Sequence, residues 1–409
     1  MKIREADALL KSSRFAMLVA PILSMCILAF GNTFYTTFTT VELNHMGESN
    51  WIVGIVSAAF FAGMMLGSLF SQKLILRLGY IRAYIFFAAL MSMVSLLQGI
   101  IIEPISWGVL RLLCGYALAG LFIVIESWCL DSVTADYKGR ILSIYLFCYY
   151  FVQASGQFML NIDFATTLMA FAVISLFATF SIIPVSLTRF EMPKKEGIEL
   201  LSPFKLAKKA PLSIWAAMVG GFTIGCIYAI YPLFLKQLDY KANGISYMMF
   251  STILGGMILQ LPIGRLSDKY DRRRVLLVIT VISVMICALI MMLHDFWSLG
   301  ILSFILGGLT FTIYPLSIAH ASDYVDNSQI TGVIGVLTIS YGIGSMLGPI
   351  GITWFMSMFG PFGFFVFMGF VCLLFTIYIL WRLNVRPKAL PQEEKVSFTS
   401  MAPEAAIAG

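Results

Sequence analysis

The chain is short of charge. Of its 409 residues only 12% are Asp, Glu, Lys or Arg, and only three are His. Soluble globular chains carry about 25% charged residues. Here 59% of residues are hydrophobic and the mean hydropathy is +0.90. A soluble protein of this length could not hide so much apolar surface, so the chain reads as a membrane protein. The net charge of +6 is spread over the chain and forms no basic patch, which excludes a nucleic-acid partner. The cysteines (Cys26, Cys114, Cys129, Cys148, Cys226, Cys287 and Cys372) all lie in apolar runs, with no CxxC pair. They read as small packing residues, not as a disulfide framework or metal ligands. No phosphate loop, HExxH cluster or Ser-His-Asp order is present. No cofactor, metal site or intramembrane enzyme is therefore expected, and transport would draw on a gradient, not on ATP. The first apolar run is too long for a cleavable signal peptide and lacks a small-residue cleavage site.

What the chain has is long apolar runs. A spanning helix needs about 20 mostly apolar residues. Twelve such runs lie near 15–41, 51–71, 80–101, 105–130, 140–160, 163–188, 212–235, 244–267, 274–294, 297–320, 330–356 and 361–383. Most connections are very short. The exception, 189–211, divides two groups of six spans, 1–188 and 212–383. The tail, 384–409, is polar and rich in Pro and Ala, and reads as disordered.

Lys and Arg set the orientation. Of the 27, 24 fall in segments on the same side as the N-terminus. Lys236 and Lys241 fall on the other side, and Arg111 lies within span four. This predicts both termini in the cytoplasm. Trp51, Trp107, Trp215, Trp297, Trp354 and Trp381 all fall near span ends, as an interfacial belt would. Trp128 suits either that belt or a cavity wall.

The two halves resemble each other in one loop. Spans eight and nine are joined by Gly264-Arg265-Leu266-Ser267-Asp268-Lys269-Tyr270-Asp271-Arg272-Arg273-Arg274. Spans two and three are joined by a degraded copy, Gln72 to Arg82, which keeps Arg77, Gly79 and Arg82 but has Gln72 and Leu76 where Gly and Asp are expected. The full loop is similar to the signature loop of the major facilitator superfamily. Arg111-x-x-x-Gly115 in span four resembles that superfamily's intramembrane Arg motif. The Gly-rich stretch of span eleven ends in Gly348-Pro349. Gly120 to Trp128 and Phe311 to His320 resemble its bacterial YcaD-like branch.

The resemblance implies an all-α protein of two six-helix bundles, with substrate bound between them near the midplane and alternating access by rocking. It implies a gating role for Arg77, Gly79, Gly264, Asp268, Arg272, Gly348 and Pro349. It also implies a bacterial inner membrane and a monomer among lipids.

Ionisable groups inside a membrane are costly, so each is a functional candidate. Glu126 is the sharpest, because Ala117 to Ile125 before it is apolar apart from one Gly. A carboxyl in such a place can carry a proton, which a proton-coupled carrier requires. It can equally serve as a structural acid, about 7 Å deeper than Asp131. Arg111 lies about 22 Å from Glu126 along the helix, too far to pair with it. It suits attraction of an anion, or a guanidinium satisfied by neighbouring carbonyls. His320 ends span ten, where a packing role competes with a pH-sensitive one. Tyr314 precedes Pro315 in mid-span, a place for a kink beside a pathway. Asn32, Tyr35, Gln153, Gln157, Tyr228, Tyr231 and Tyr341 are the other mid-span polar candidates for the cavity wall. Each also suits an ordinary interhelical hydrogen bond, worth about 0.6 kcal/mol.

The function expected is secondary transport of a small organic solute, driven by protons. One acid among many Tyr, Phe and Met favours efflux of amphipathic compounds. Uptake of a polar nutrient, an organic anion or an iron chelate is the alternative, with Arg111 serving the anion. A non-transporting receptor on the same fold, or a passive channel, ranks below both.

Overall fold

The computed structural model describes residues 2–133, 135–188, 210–325 and 330–385. The connector and tail expected at 189–211 and 384–409 lie outside these, apart from 210–211 and 384–385. Among the described residues the regular structure is helical. The first half holds α1 (Lys2–His45), α2 (Asn50–Leu78), α3 (Tyr80–Ile100), α4 (Pro104–Asp131), α5 (Ala135–Gly156), α6 (Thr167–Phe180) and α7 (Ile182–Ser186). A 3-10 turn, Gln157–Asn161, follows α5. The second half holds α8 (Pro211–Ala229), α9 (Tyr231–Gln237), α10 (Ala242–Lys269), α11 (Arg272–Met292), α12 (Phe296–Ser322), α13 (Ile330–Phe359) and α14 (Gly363–Val385). Eleven segments are long and apolar enough to cross a membrane among the described residues. α5 makes the twelfth span, with Asp136, Lys138 and Arg140 in its first turns lowering its hydropathy.

Helix ends follow local chemistry. Pro104 opens α4, and Glu103 caps it by accepting from the Ile105 and Ser106 amides at 2.9 and 2.6 Å. Asp295 caps α12 through the Ser298 amide at 3.1 Å. Gly79, at φ 79°, makes the corner between α2 and α3, a conformation that favours glycine. Two expected spans are broken. α8 gives way to α9 at Ile230, and α6 to α7 at Ser181. In each case a proline follows, Pro232 and Pro184, and its missing N–H removes the bond to the carbonyl four residues back. By contrast α12 continues as helix through Pro315.

The halves repeat one packing plan. α2 and α4 cross where a methyl group on Gly63 would strike the Leu112 carbonyl and one on Gly115 the Phe60 carbonyl. α10 and α12 cross the same way, with Gly255 against the Phe304 carbonyl and Gly307 against that of Thr252. Both glycine pairs are related by the same shift of 192 positions. Close backbone approach through small residues is how membrane helices gain contact without a hydrophobic driving force.

α1 begins and α14 finishes at one end of the bundle, the terminal end. There Pro211, His320 and Arg382 line one small cavity. The halves are bonded to each other at the opposite, distal end. Thr40 donates to the Ala229 carbonyl at 2.8 Å, Gln237 to Asn50 at 2.7 Å, and Ser246 to the Gln157 carbonyl at 2.9 Å.

Candidate substrate and proton site

Between the halves, at mid-depth, lies a cluster of aromatic and polar side chains. α5 presents Tyr145, Tyr149 and Gln153 at four-residue spacing, one face of a helix. Tyr145 stacks on Tyr149 with centroids 6.4 Å apart, and Gln153 Nε2 donates to the Tyr149 hydroxyl at 2.8 Å. From the second half the Tyr228 hydroxyl donates to Gln153 Oε1 at 2.5 Å. Phe311 of α12 bridges the two halves, 5.9 Å from the Tyr150 ring and 5.7 Å from Tyr228. One turn on, the rings of Tyr314 and Tyr341 lie 4.7 Å apart, and the Tyr314 hydroxyl meets Thr338 at 3.1 Å.

Glu126 of α4 faces this cluster. It is 8% exposed and directly follows an apolar run, Leu121 to Ile125. Phe122, one turn before it, packs on Tyr149 at 5.4 Å. Its carboxylate is within electrostatic reach of Tyr314, across the boundary between the halves. Among the described residues Glu126 Oε2 has no hydrogen-bond partner, nor have the buried hydroxyls of Tyr150 and Tyr341. Buried polar atoms are almost always paired, so a group of orphans at one boundary indicates a place for a ligand, water or proton.

Arg111 is elsewhere. Its guanidinium carbon sits 4.7 Å from the Tyr35 ring centre and 4.2 Å from that of Phe60, inside the first half. Nη2 donates to Thr36 at 3.4 Å. Tyr35 is wholly buried there, with its hydroxyl on Gln98 Oε1 at 2.6 Å. Gln157 is held by α1, donating to Thr33 at 2.7 Å and accepting from Thr37 at 2.8 Å. Asn32 is buried on α1, with Oδ1 unpartnered among the described residues. Tyr231 is enclosed by the second half, its hydroxyl 2.5 Å from Ser303 and its ring stacked on Phe234. Trp128 is fully buried and stacks on Tyr80, with ring centres 6.4 Å apart. Of the sequence-expected cavity residues, then, the structure brings Gln153, Tyr228, Tyr314 and Tyr341 together with Glu126. Arg111, Tyr35, Tyr231, Trp128 and the side chain of Gln157 are held within one half or the other, although the Gln157 carbonyl accepts from Ser246 of the second half. Tyr149, Tyr150 and Phe311 join the cluster although sequence reasoning did not single them out. The Tyr145–Tyr149–Gln153 spacing was the signal that could have found the first of them.

Of the expected gating residues, Arg77, Gly79, Gly264, Asp268 and Arg272 lie at the terminal end, whereas Gly348 and Pro349 lie toward the distal end, where the Pro349 carbonyl approaches Gly54. Arg272, almost wholly buried, is 3.4 Å from Asp268 and 3.3 Å from Asp323, the residue that ends α12. Arg273 pairs with Asp271 at 2.8 Å. Burial opposes ionisation of Asp271, but its bonds to Arg273 outweigh that and hold its carboxyl below the usual carboxylate range. Gly264 is buried in the last turns of α10, whereas Arg77 is exposed. Gly348 lies where an added methyl would meet Cys226 Sγ and the Phe222 carbonyl, both at 2.8 Å. Pro349 sits within α13. His320 is buried edge-on to Tyr324, 5.0 Å away, and with Arg273 and Arg382 lines a cavity of about 20 Å³. Among the described residues no group of three or more His, Cys, Asp or Glu could hold a metal ion.

The Major Facilitator Superfamily model matches residues 21–257 and, again, residues 213–406. The chain belongs to the major facilitator superfamily. Its curated relatives include the uncharacterized MFS-type transporter YcaD of Escherichia fergusonii (strain ATCC 35469), 28% identical over 346 residues, which span 84% of this chain and 90% of the relative. YcaD of Escherichia coli O17:K52:H18 is 29% identical over 344 residues, 83% of this chain and 89% of that one. Among solved structures, a mutant of the nucleoside transporter NupG superposes with a TM-score of 0.76 at 13% identity, covering 90% of this chain and 99% of that one. That likeness shows the fold. The chain is an integral, multi-pass membrane protein of the YcaD-like branch, and a secondary transporter, not an enzyme.

Proposed function

We propose that this superfamily member is a proton-coupled exporter of amphipathic compounds, with Glu126 as its proton carrier. The observation that carries this is the place of Glu126, a buried carboxyl at the boundary between halves with an unpartnered oxygen. A carboxyl there gains or loses charge where the halves must separate, so its proton biases which end opens. The terminal end, which bears nearly all the Lys and Arg, faces the cytoplasm of a bacterial inner membrane. The distal end, bonded shut here, faces outward. Residues 1–188 and 212–383 are the two rocking bodies, and one monomer suffices.

The test is made in proteoliposomes with an internal pH-sensitive dye. Outward gradients of anionic, neutral and cationic amphiphiles are imposed in turn. The wild type is expected to move protons against the transported class, and Glu126→Gln to leave the dye silent while still exchanging solute. Full proton movement by Glu126→Gln rules out the role given to this residue. Solute movement by the wild type without protons rules out the coupling.

A further inference from the structure

The arrangement around Glu126 also bears on the sign of the substrate's charge, given that the carrier reading is right and substrate binds between the halves. Four observations point the same way. The described charge beside this aromatic cluster is a carboxylate, Glu126, buried about one and a half turns in from the terminal end of α4. The intramembrane cation that could have balanced it, Arg111, is about 22 Å along the helix. Arg111 is also sealed inside the first half, its guanidinium between the Tyr35 and Phe60 rings. Arg272 and Arg273, among the described residues, are already paired to aspartates at the terminal end. Finally, Tyr314, within electrostatic reach of Glu126, packs beside Tyr341 and lies one turn from Phe311, which packs on Tyr150 and Tyr228. Of these, Tyr150 and Tyr341 keep buried hydroxyls with no partner among the described residues.

We infer that this cleft selects organic cations, amphipathic ammonium or phosphonium ions whose charge sits by Glu126 and whose apolar groups lie on the tyrosine and phenylalanine faces. A positive centre gains twice there. It neutralises a carboxylate in a medium of low dielectric, where charge interactions are far stronger than in water. It also meets ring faces, which carry the negative end of the aromatic quadrupole and attract a cation most strongly when it is desolvated. An anion of the same shape gains neither and is repelled by Glu126. A neutral solute can use the free hydroxyls but leaves the carboxylate unbalanced.

Tetraphenylphosphonium and tetraphenylborate separate these cases, because they share one shape and differ in sign. Each is titrated into the purified full chain in detergent, following tryptophan fluorescence and the unfolding temperature. Tetrabutylammonium serves as a cation without aromatic rings. The expected result is binding of both cations, with the phosphonium preferred to the borate by about tenfold or more. Glu126→Gln should abolish that preference, and Glu126→Asp should keep part of it. Tyr341→Phe, which retains the ring face, should bind the phosphonium within about twofold of wild type, and Tyr341→Ala about tenfold more weakly.

Equal or tighter binding of the borate overturns the inference. So does an unchanged preference in a folded Glu126→Gln, or the absence of binding by both cations. A borate preference that disappears in Arg111→Gln would assign the site to Arg111 and the substrate to organic anions. If the liposome assay shows proton movement lost in Glu126→Gln while the wild type lacks cation preference, the carrier reading stands and only this inference falls.

Discussion

The Tyr80 hydroxyl donates to the Asp131 carboxylate at 2.6 Å, and this bond stands where Arg272 pairs with Asp323 in the second half. Both residues of one pair map onto both of the other by the 192-position shift that relates the glycine crossings. The first half has thus lost its loop Asp, with Leu76 in its place, and its Arg, with Tyr80 in its place. It has kept the acid that ends the fourth span. The corner is still tied, by an uncharged donor whose ring also stacks on Trp128.

The two corners should differ in cost. Tyr80→Phe removes one hydrogen bond to a half-buried acid and is expected to cost about 1 kcal/mol. Arg272→Gln removes the guanidinium 3.3 Å from Asp323, whose side chain is only 4% exposed, and is expected to cost about 3 kcal/mol or more. Unfolding in detergent, followed by circular dichroism, compares them. Equal losses would mean that the Tyr80 bond carries as much as the buried ion pair.

The glycine crossings should be equally intolerant in both halves. Gly63→Ala and Gly255→Ala each drive a methyl into a backbone carbonyl, at Leu112 and Phe304. Each is expected to lose about 1–3 kcal/mol. A fluorescence-detected sizing assay on solubilised protein reads this as early aggregation. A monodisperse Gly63→Ala of wild-type stability would contradict the close approach of α2 and α4.

Locking the distal end should stop transport. A Cβ built on Gly54 would lie 3.1 Å from Thr353 Cβ, on α13 of the other half. Disulfides prefer a Cβ separation of about 3.8 Å, which asks the two helices to part by about 0.7 Å here. Gly54→Cys with Thr353→Cys is expected to cross-link under mild oxidation, halting transport, with reductant restoring it. Undiminished transport by fully cross-linked protein would exclude rocking that opens this end.

Acid should weaken the terminal end through Asp271. Its carboxyl is held below the ordinary carboxylate value when folded. Its stabilising contribution is therefore complete above the unfolded value and is lost as pH falls through the folded one. The Asp271 side chain also caps α11 through the Arg273 amide at 3.0 Å. Asp271→Asn is expected to lower stability at neutral pH and to flatten the acid limb of a plot of unfolding temperature against pH. A limb as steep as wild type would mean that other carboxyls set it.

The span pattern, the repeat and the singularity of Glu126 were all legible in the sequence. A lone acid in an apolar run stands out without any coordinates, because the membrane penalises it whatever surrounds it. Arg111 was equally visible for the same reason. Its surroundings were not, and the structure seals it between Tyr35 and Phe60.

By itself, then, the sequence determined which segments are long and apolar enough to span, and which ionisable groups fall within them. Composition and spacing along one chain suffice for that. Only the tertiary structure decided that Gln153, Tyr228, Tyr314 and Tyr341 share a boundary with Glu126, whereas Tyr35, Gln157 and Tyr231 turn inward. The physical reason is that a spanning helix is apolar on every side. With weak amphipathicity, no periodic signal distinguishes the face against its own bundle from the face against the other. Packing makes that choice, through glycine crossings within each half and side-chain bonds between the halves that join residues 75 to 189 positions apart.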